Sequence, residues 1–223
     1  MGSGAAVVVA LAAFATGCGG GGSDTVAAKP PAADSSGAEA GTGAGSTPGK
    51  PTDGKVDFDT VFKTEERFKQ ALPDPASMAG WTPKNAGADI KESPKPAAEC
   101  GADTHWDCTS VARGDANFEA FGEEALFDLV AYADKKAAQD ACRKEKTWSA
   151  KYAKAEVAPV PGIESHAYYR NAGGLDGLNL TMCLGTVIAQ VRLEGEGSSL
   201  DPATAHSMAR MFVPRIQKAA AAS

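Results

Sequence analysis

The sequence predicts an α+β domain: an antiparallel sheet with helices packed against it, closed by two disulfides. Three observations carry that expectation. Leu178, Leu180 and Met182 alternate with polar residues or cysteine, and after Leu184-Gly185 the residues Val187, Ala189, Val191 and Leu193 alternate again. Period-2 patterning on either side of a short glycine turn is the mark of a hairpin with one buried face. Two stretches, 134–151 and 201–218, instead repeat their apolar residues at helical spacing. Finally, of five cysteines four fall within the patterned region: Cys100, Cys108, Cys142 and Cys183. An even set in an exported chain reads as two disulfides rather than as metal ligands.

Taken in order, the patterned region starts near Asp57. Val61, Phe62, Phe68 and Leu72 predict a short amphipathic helix stopped by Pro73. Ala79-Gly80-Trp81-Thr82-Pro83 is a turn leading into a strand through Ile90. The stretch from Ser93 to Cys108 contains Pro94, Pro96 and Gly101 and reads as a loop. Ser110 to Phe118 and Glu124 to Tyr132 are strands. The second is apolar on both faces, with Phe127 and Leu129 on one side and Leu126 and Val130 on the other, so it belongs inside the sheet.

Asp134 is an N-cap for a helix reaching about Lys151, with Ala137, Ala138, Ala141, Trp148 and Tyr152 inward and Cys142 at the edge of the stripe. Val160-Pro161-Gly162-Ile163 makes a turn, His166 to Arg170 a strand, and Asn171 to Gly174 another turn. A two-residue turn at Leu184-Gly185 pairs 182 with 187, 180 with 189 and 178 with 191, all apolar pairs on one face. Asp201-Pro202 opens the last helix, with Pro at the first helical position and Ala205, Met208, Ala209, Phe212 and Ile216 as its buried stripe. Pro214 is expected to kink this helix, and the tail from Ala219 to fray.

Ahead of this region the composition changes. From Gly19 to about Lys55 the chain is Gly, Ala, Ser, Thr and Pro with scattered charges and almost no large apolar side chains. Nothing there offsets the entropy of ordering, and such a tether spans roughly 35 Å as a flexible coil. Before it, Ala5 to Ala15 is an unbroken apolar run of signal-peptide length, too short to cross a bilayer as a helix. The chain therefore divides into a signal peptide (1–17), a tether (18–55) and an extracytoplasmic domain (56–223). Met1-Gly2-Ser3-Gly4 carries no Lys or Arg, which places the expected translation start upstream of Met1.

Ala15-Thr16-Gly17-Cys18 resembles the lipobox of bacterial lipoproteins, with Ala15 where that pattern usually has leucine. The resemblance implies cleavage before Cys18 and a diacylglyceryl group on its thiol, a membrane anchor stronger than one acyl chain. Taken with the tether, the four domain cysteines, Val160-Pro161-Gly162-Ile163 before an aromatic strand, and the Leu184-Gly185-Thr186 hairpin before a closing helix, the chain is similar to actinobacterial cell-envelope lipoproteins. More distantly it is similar to the extracellular sensor domains of actinobacterial serine/threonine kinases. These resemblances imply a place, the outer face of the cell membrane, and a fold. They imply no chemistry.

The residues themselves exclude more chemistry than they supply. A net charge of −6 lacks the basic stripe of a nucleic-acid binder. His105, His166 and His206 form no HxH or HExxH, so neither a metal nor a cofactor is expected. Ser165 and His166 are triad residue types, but neighbours on a strand point to opposite faces, and no catalytic residue is assigned. Arg113-Gly114-Asp115 matches an adhesion tripeptide at chance level. What remains is aromatic: Trp81, Trp106, Tyr168 and Tyr169 near loops, read either as packing or as a shallow ligand groove.

A non-enzymatic ligand-binding or sensor-like module is thus the leading expectation. The alternative is a partner-binding accessory lipoprotein in an envelope assembly; an envelope hydrolase stands third. For the disulfides, Cys100–Cys108 with Cys142–Cys183 is preferred because the first pair shares one loop. Cys100–Cys183 with Cys108–Cys142 stays open, since Cys183 points away from the hairpin's apolar face.

Overall fold

A computed structural model describes residues 60–101, 105–172, 175–195 and 200–222. Cys18, the signal segment and the tether lie outside the described residues. The described elements run α1 (Glu65–Ala71), β1 (Thr82–Ile90), β2 (Ser110–Ala120), β3 (Glu123–Tyr132), α2 (Lys135–Ser149), β4 (Ala153–Lys154), β5 (Glu164–Ala172), β6 (Leu175–Leu184), β7 (Val187–Gly195) and α3 (Pro202–Ala221). A single 3-10 turn, Ala97–Glu99, interrupts the loop before Cys100. The strands form one sheet, ordered β1-β2-β3-β7-β6-β5-β4 and antiparallel throughout. Among the described residues no helix is long and apolar enough to cross a membrane.

One face of the sheet carries the main core. Ala125, Phe127, Leu129 and Ala131 on β3 share it with Val187, Ala189, Val191 and Leu193 on β7 and Leu178, Leu180, Met182 and Leu184 on β6. Phe127 meets Phe118 and Phe212 edge-on at 6.0 and 5.4 Å between ring centroids, joining β2 and α3 through one buried ring. Gly114 has a packing reason: a Cβ there would lie 2.5 Å from Cδ1 of Phe68, so only glycine lets α1 sit on β2. Arg113-Gly114-Asp115 is therefore the middle of a paired strand under a helix.

Local chemistry sets the helix ends. Thr64 Oγ1 accepts from Arg67 N at 3.4 Å, Asp134 Oδ1 from Ala137 N at 2.8 Å, and Asp201 Oδ1 from Ala203 N at 2.9 Å. Val61 and Phe62, expected inside α1, instead precede it, because Thr64 caps the helix and starts it at Glu65. The tail of α3 is the main departure from expectation here: it does not fray. Ala219 and Ala220 are buried, and their carbonyls accept from Arg67 Nη1 and Thr60 Oγ1, both at 3.0 Å. Those donors from the α1 segment satisfy carbonyls that a helix end otherwise leaves open. Pro214 lies on the exposed side of α3, and the helix continues through it to Ala221.

The hairpin register differs from expectation by two residues. Leu184 pairs with Val187, Met182 with Ala189, Leu180 with Val191 and Leu178 with Leu193, so the turn is Gly185-Thr186. A shift of two preserves which face each side chain occupies, so hydrophobic alternation alone fits both registers. Turn chemistry decides between them. Gly185, at φ +56°, takes the first loop position, where the other register would force Leu184 to positive φ.

α2 packs on the opposite face of the sheet, over Val130, Tyr132 and Ile188. Its buried stripe is Ala138, Ala141, Cys142, Glu145 and Ser149, while Trp148 is only half-buried. Cys142 is thus inside the stripe, not at its edge. That second cluster also explains Cys183. It turns away from the main core because another apolar layer waits there, and the Cys142–Cys183 disulfide staples α2 to β6. Cys100–Cys108 closes the loop before β2.

Candidate functional site

The four aromatics proposed for one groove do not share one. Trp81 packs against the main core and lines a cleft with Met78, Met208 and Met211 on the α3 side. Tyr169 is exposed and alternates with Tyr168, so the two leave β5 on opposite faces. Trp106 and Tyr168 do come together. They line a cleft of about 180 Å³ on the α2 side of the sheet.

Strand register builds that cleft in rows. Cross-strand partners Asp128, Gln190, Thr181 and His166 form one row; Arg192, Asn179 and Tyr168 form the next. α2 covers the first of these only in part, leaving a polar floor beside its C-terminal end. Trp148 of α2, Trp106 and His105 of the disulfide loop, and Arg113 and Arg170 complete the walls. Trp148 meets Tyr168 edge-on at 6.1 Å, and Tyr152 stacks on Tyr168 at 5.5 Å. The guanidinium of Arg170 sits 5.5 Å from the Trp148 ring centre and 5.9 Å from that of Tyr152.

Beside the floor, on the sheet-facing side of α2, lies Glu145, which is wholly buried. Its Oε1 accepts from Tyr168 Oη at 3.2 Å and Thr181 Oγ1 at 3.3 Å, and its Oε2 contacts His166 Nε2. Gln190 Nε2 donates to Thr181 Oγ1 at 3.0 Å, linking this cluster to the cleft floor. Burial first, and then the Glu145 charge, push the Tyr168 phenol well above its usual pKa, so it stays a donor. Ser165 lies on the opposite face from His166, as the alternation predicts. The other ring nitrogen of His166, Nδ1, is buried without a hydrogen-bond partner, so no hydroxyl or thiol is placed there as a nucleophile would be. Among the described residues no three His, Cys, Asp or Glu side chains converge as metal ligands.

Two buried donors at the cleft are unmatched. Asn179 is only 7% exposed, and its Nδ2 has no partner. Arg192 Nε lies 3.2 Å from Glu194 Oε1 but off the line of a hydrogen bond, so its charge is paired while its N–H is not. Asp128, by contrast, is engaged by Arg113 through Nε at 3.2 Å and Nη2 at 2.5 Å. Burial works against the Arg113 charge, but the Asp128 carboxylate outweighs it and raises the guanidinium pKa.

Sequence reasoning found Trp106 and Tyr168 but missed Glu145, Arg170, Asn179 and Arg192. One signal was available: Glu145 falls three residues after Cys142 and four after Ala141, so it interrupts an apolar helical stripe.

A second cleft, about 530 Å³, runs between the loop from Pro94 to Cys100 and α2. Its walls are mainly proline, alanine and lysine stems, and it holds none of the unmatched buried donors.

Fold and site together define an α+β domain with a seven-stranded antiparallel sheet, two disulfides and a donor-rich cleft beside one helix. No protein-family model and no curated protein matches the chain. Among solved structures it is similar to the extracellular domain of PknH from Mycobacterium tuberculosis, with a TM-score of 0.46 and 12% identity over 72% of this chain and 98% of that one. A likeness of that order speaks to neither ligand nor mechanism.

Proposed function

We propose that the chain is an extracytoplasmic ligand-binding module of sensor-like type, tethered to the outer face of the cell membrane through lipid at Cys18 and without turnover. The observation that carries the reading is Asn179: a buried amide donor left without a partner in a cleft walled by Trp148 and Tyr168. Buried polar groups are almost always satisfied, and an unmatched one that faces a cleft is a place for a ligand atom. Two disulfides agree with an oxidising compartment outside the cytoplasm, and the lipobox-like Gly17-Cys18 agrees with lipid anchoring of the actinobacterial lipoprotein kind.

The test uses intrinsic fluorescence, since two of the three tryptophans, Trp106 and Trp148, line this cleft. Low-molecular-weight envelope extract should shift the emission of the purified chain and raise its melting temperature. Asn179→Leu should abolish both effects. An extract that shifts neither, or shifts both equally in Asn179→Leu, refutes the reading. Cys18→Ser tests the anchor: the protein should leave the membrane fraction, and retention there counts against lipidation.

A partner-binding accessory role is the second reading, and Phe121 favours it. Phe121 is fully exposed at the tip of the β2–β3 hairpin with φ +52°, followed by Gly122 at +82°. A bulky residue in the left-handed region is strained. An exposed ring held there, among Glu119, Glu123 and Glu124, suits insertion into an apolar pocket with a basic rim on another protein.

A further inference from the structure

The chemical class of the ligand follows from the imbalance of donors and acceptors around the cleft, and this inference rests on the ligand-binding reading. We infer that the cleft takes a small anionic ligand, a carboxylate or phosphate borne on a single ring such as a sugar.

Three guanidinium groups line the cleft, in a chain whose net charge is −6; Asp128 pairs with Arg113, and Glu194, 3.2 Å from Nε of Arg192, pairs with the second. Arg113 and Asp128 neutralise each other and leave the floor beside them electrically quiet. Arg170 differs. Among the described residues it makes no ion pair, and its partners are the rings of Trp148 and Tyr152. A cation held against aromatic faces keeps its N–H edge free for a bidentate anion.

Asn179 and Arg192 face each other across β6 and β7, and Tyr168, opposite Asn179 on β5, is two residues before Arg170 on the same face. The unmatched Nδ2 of Asn179 and Nε of Arg192 therefore lie in one row, with the Arg170 guanidinium one pleat away. All three present N–H groups. An acceptor-rich anion satisfies them together, whereas a neutral ligand leaves the Arg170 charge unanswered. The volume, about 180 Å³, is below the roughly 300–1,000 Å³ of clefts that enclose drug-sized ligands, so the bound part is a single ring or head group. Tyr168 and Trp148 give that ring an apolar wall.

The experiment is calorimetric titration of the full chain with D-glucuronate, D-glucose 6-phosphate, inorganic phosphate and D-glucose. Both sugar anions should bind saturably and D-glucose should not. Inorganic phosphate separates a free anion from a ring-borne one: it should bind more weakly than the sugar phosphate. Arg170→Gln should weaken the anions about tenfold or more, Arg170→Lys less, and added salt should weaken binding to the wild type more than to Arg170→Gln. An unchanged melting temperature shows that Arg170→Gln folds.

If D-glucose binds as tightly as D-glucuronate, or Arg170→Gln loses nothing, the anionic class is wrong while ligand binding stands. Phosphate binding as tightly as the sugar phosphate overturns the ring. If no probe binds, the inference fails, and the response to envelope extract decides separately whether the ligand-binding reading fails with it.

Discussion

Replacing Glu145 by alanine should destabilise the domain by about 3–5 kcal/mol, because three side chains on two strands lose the one buried acceptor they share. Tyr168 Oη and Thr181 Oγ1 are buried hydroxyls that donate to Glu145 Oε1 at 3.2 and 3.3 Å. Each left without an acceptor costs about 1–3 kcal/mol. His166, the third partner, has a side chain 16% exposed and recovers part of its loss from water. The Cys142–Cys183 staple sits one helical turn away, so α2 cannot swing off the sheet to hydrate these groups.

Urea unfolding followed by tryptophan emission measures the change. With a slope of about 2 kcal/mol per molar, a loss of about 4 kcal/mol moves the midpoint by about 2 M. Glu145→Gln is the informative companion. Its amide oxygen still accepts both hydroxyls and its N–H can face His166 Nε2, so it should cost about 1–2 kcal/mol. The effect of Glu145→Ala should also change when Cys142 and Cys183 are both alanine, since neighbours on one helix face do not act independently. If Glu145→Ala lies within about 1 kcal/mol of wild type, or Glu145→Gln costs as much as alanine, the shared-acceptor argument is wrong.

Three further outcomes are expected. Removing Cys142–Cys183, which spans 41 residues, should cost about 4 kcal/mol in the chain-entropy model, against about 2.5 for Cys100–Cys108, which spans 8; the reverse order in urea unfolding would refute loop length as the dominant effect. Phe121→Asn should raise stability by about 1 kcal/mol by relieving positive φ at the hairpin tip, and a loss there would show that the ring contributes to the isolated fold.

Tyr132 and Tyr168 both have raised pKa values, chiefly from burial. The folded state therefore holds their protons more tightly than the unfolded state. The resulting stability is fully present below the unfolded value near pH 10 and is lost as pH rises toward the folded values, by up to about 1.4 kcal/mol per pH unit for each. Tyr168→Phe should remove about half of that alkaline slope, and an unchanged slope would mean that Tyr168 does not contribute.

Much of the fold is legible because its signals are local. Alternation along 178–193, Asp134 and Asp201 ahead of helical stripes, and Pro73 after Leu72 each act within a few residues, and each marks an element that forms. The preferred disulfide pairing, with its short bridge inside one loop, is the one that forms, although the sequence left Cys100–Cys183 with Cys108–Cys142 open. Where the reading failed, the deciding partner was distant in sequence. The tail of α3 stays helical because Thr60 and Arg67, 160 and 152 residues away, donate to its last carbonyls. The α2 stripe turns inward at Glu145 rather than Trp148 because Tyr168, Thr181 and His166 offer buried partners.

By itself the sequence determined an α+β antiparallel domain, the starts of its last two helices, and the face each hairpin residue occupies. Tertiary structure decided which of the two cysteine pairings closes, which strands become neighbours, and where the polar faces of β5, β6 and β7 converge. The physical reason is range. Periodicity sets the face of a side chain within its own strand, but the row formed by Arg192, Asn179 and Tyr168 exists only after three strands pair. On the sequence Arg192 and Asn179 are merely the polar side of a hairpin; in the folded chain they join Tyr168 in the floor of the cleft.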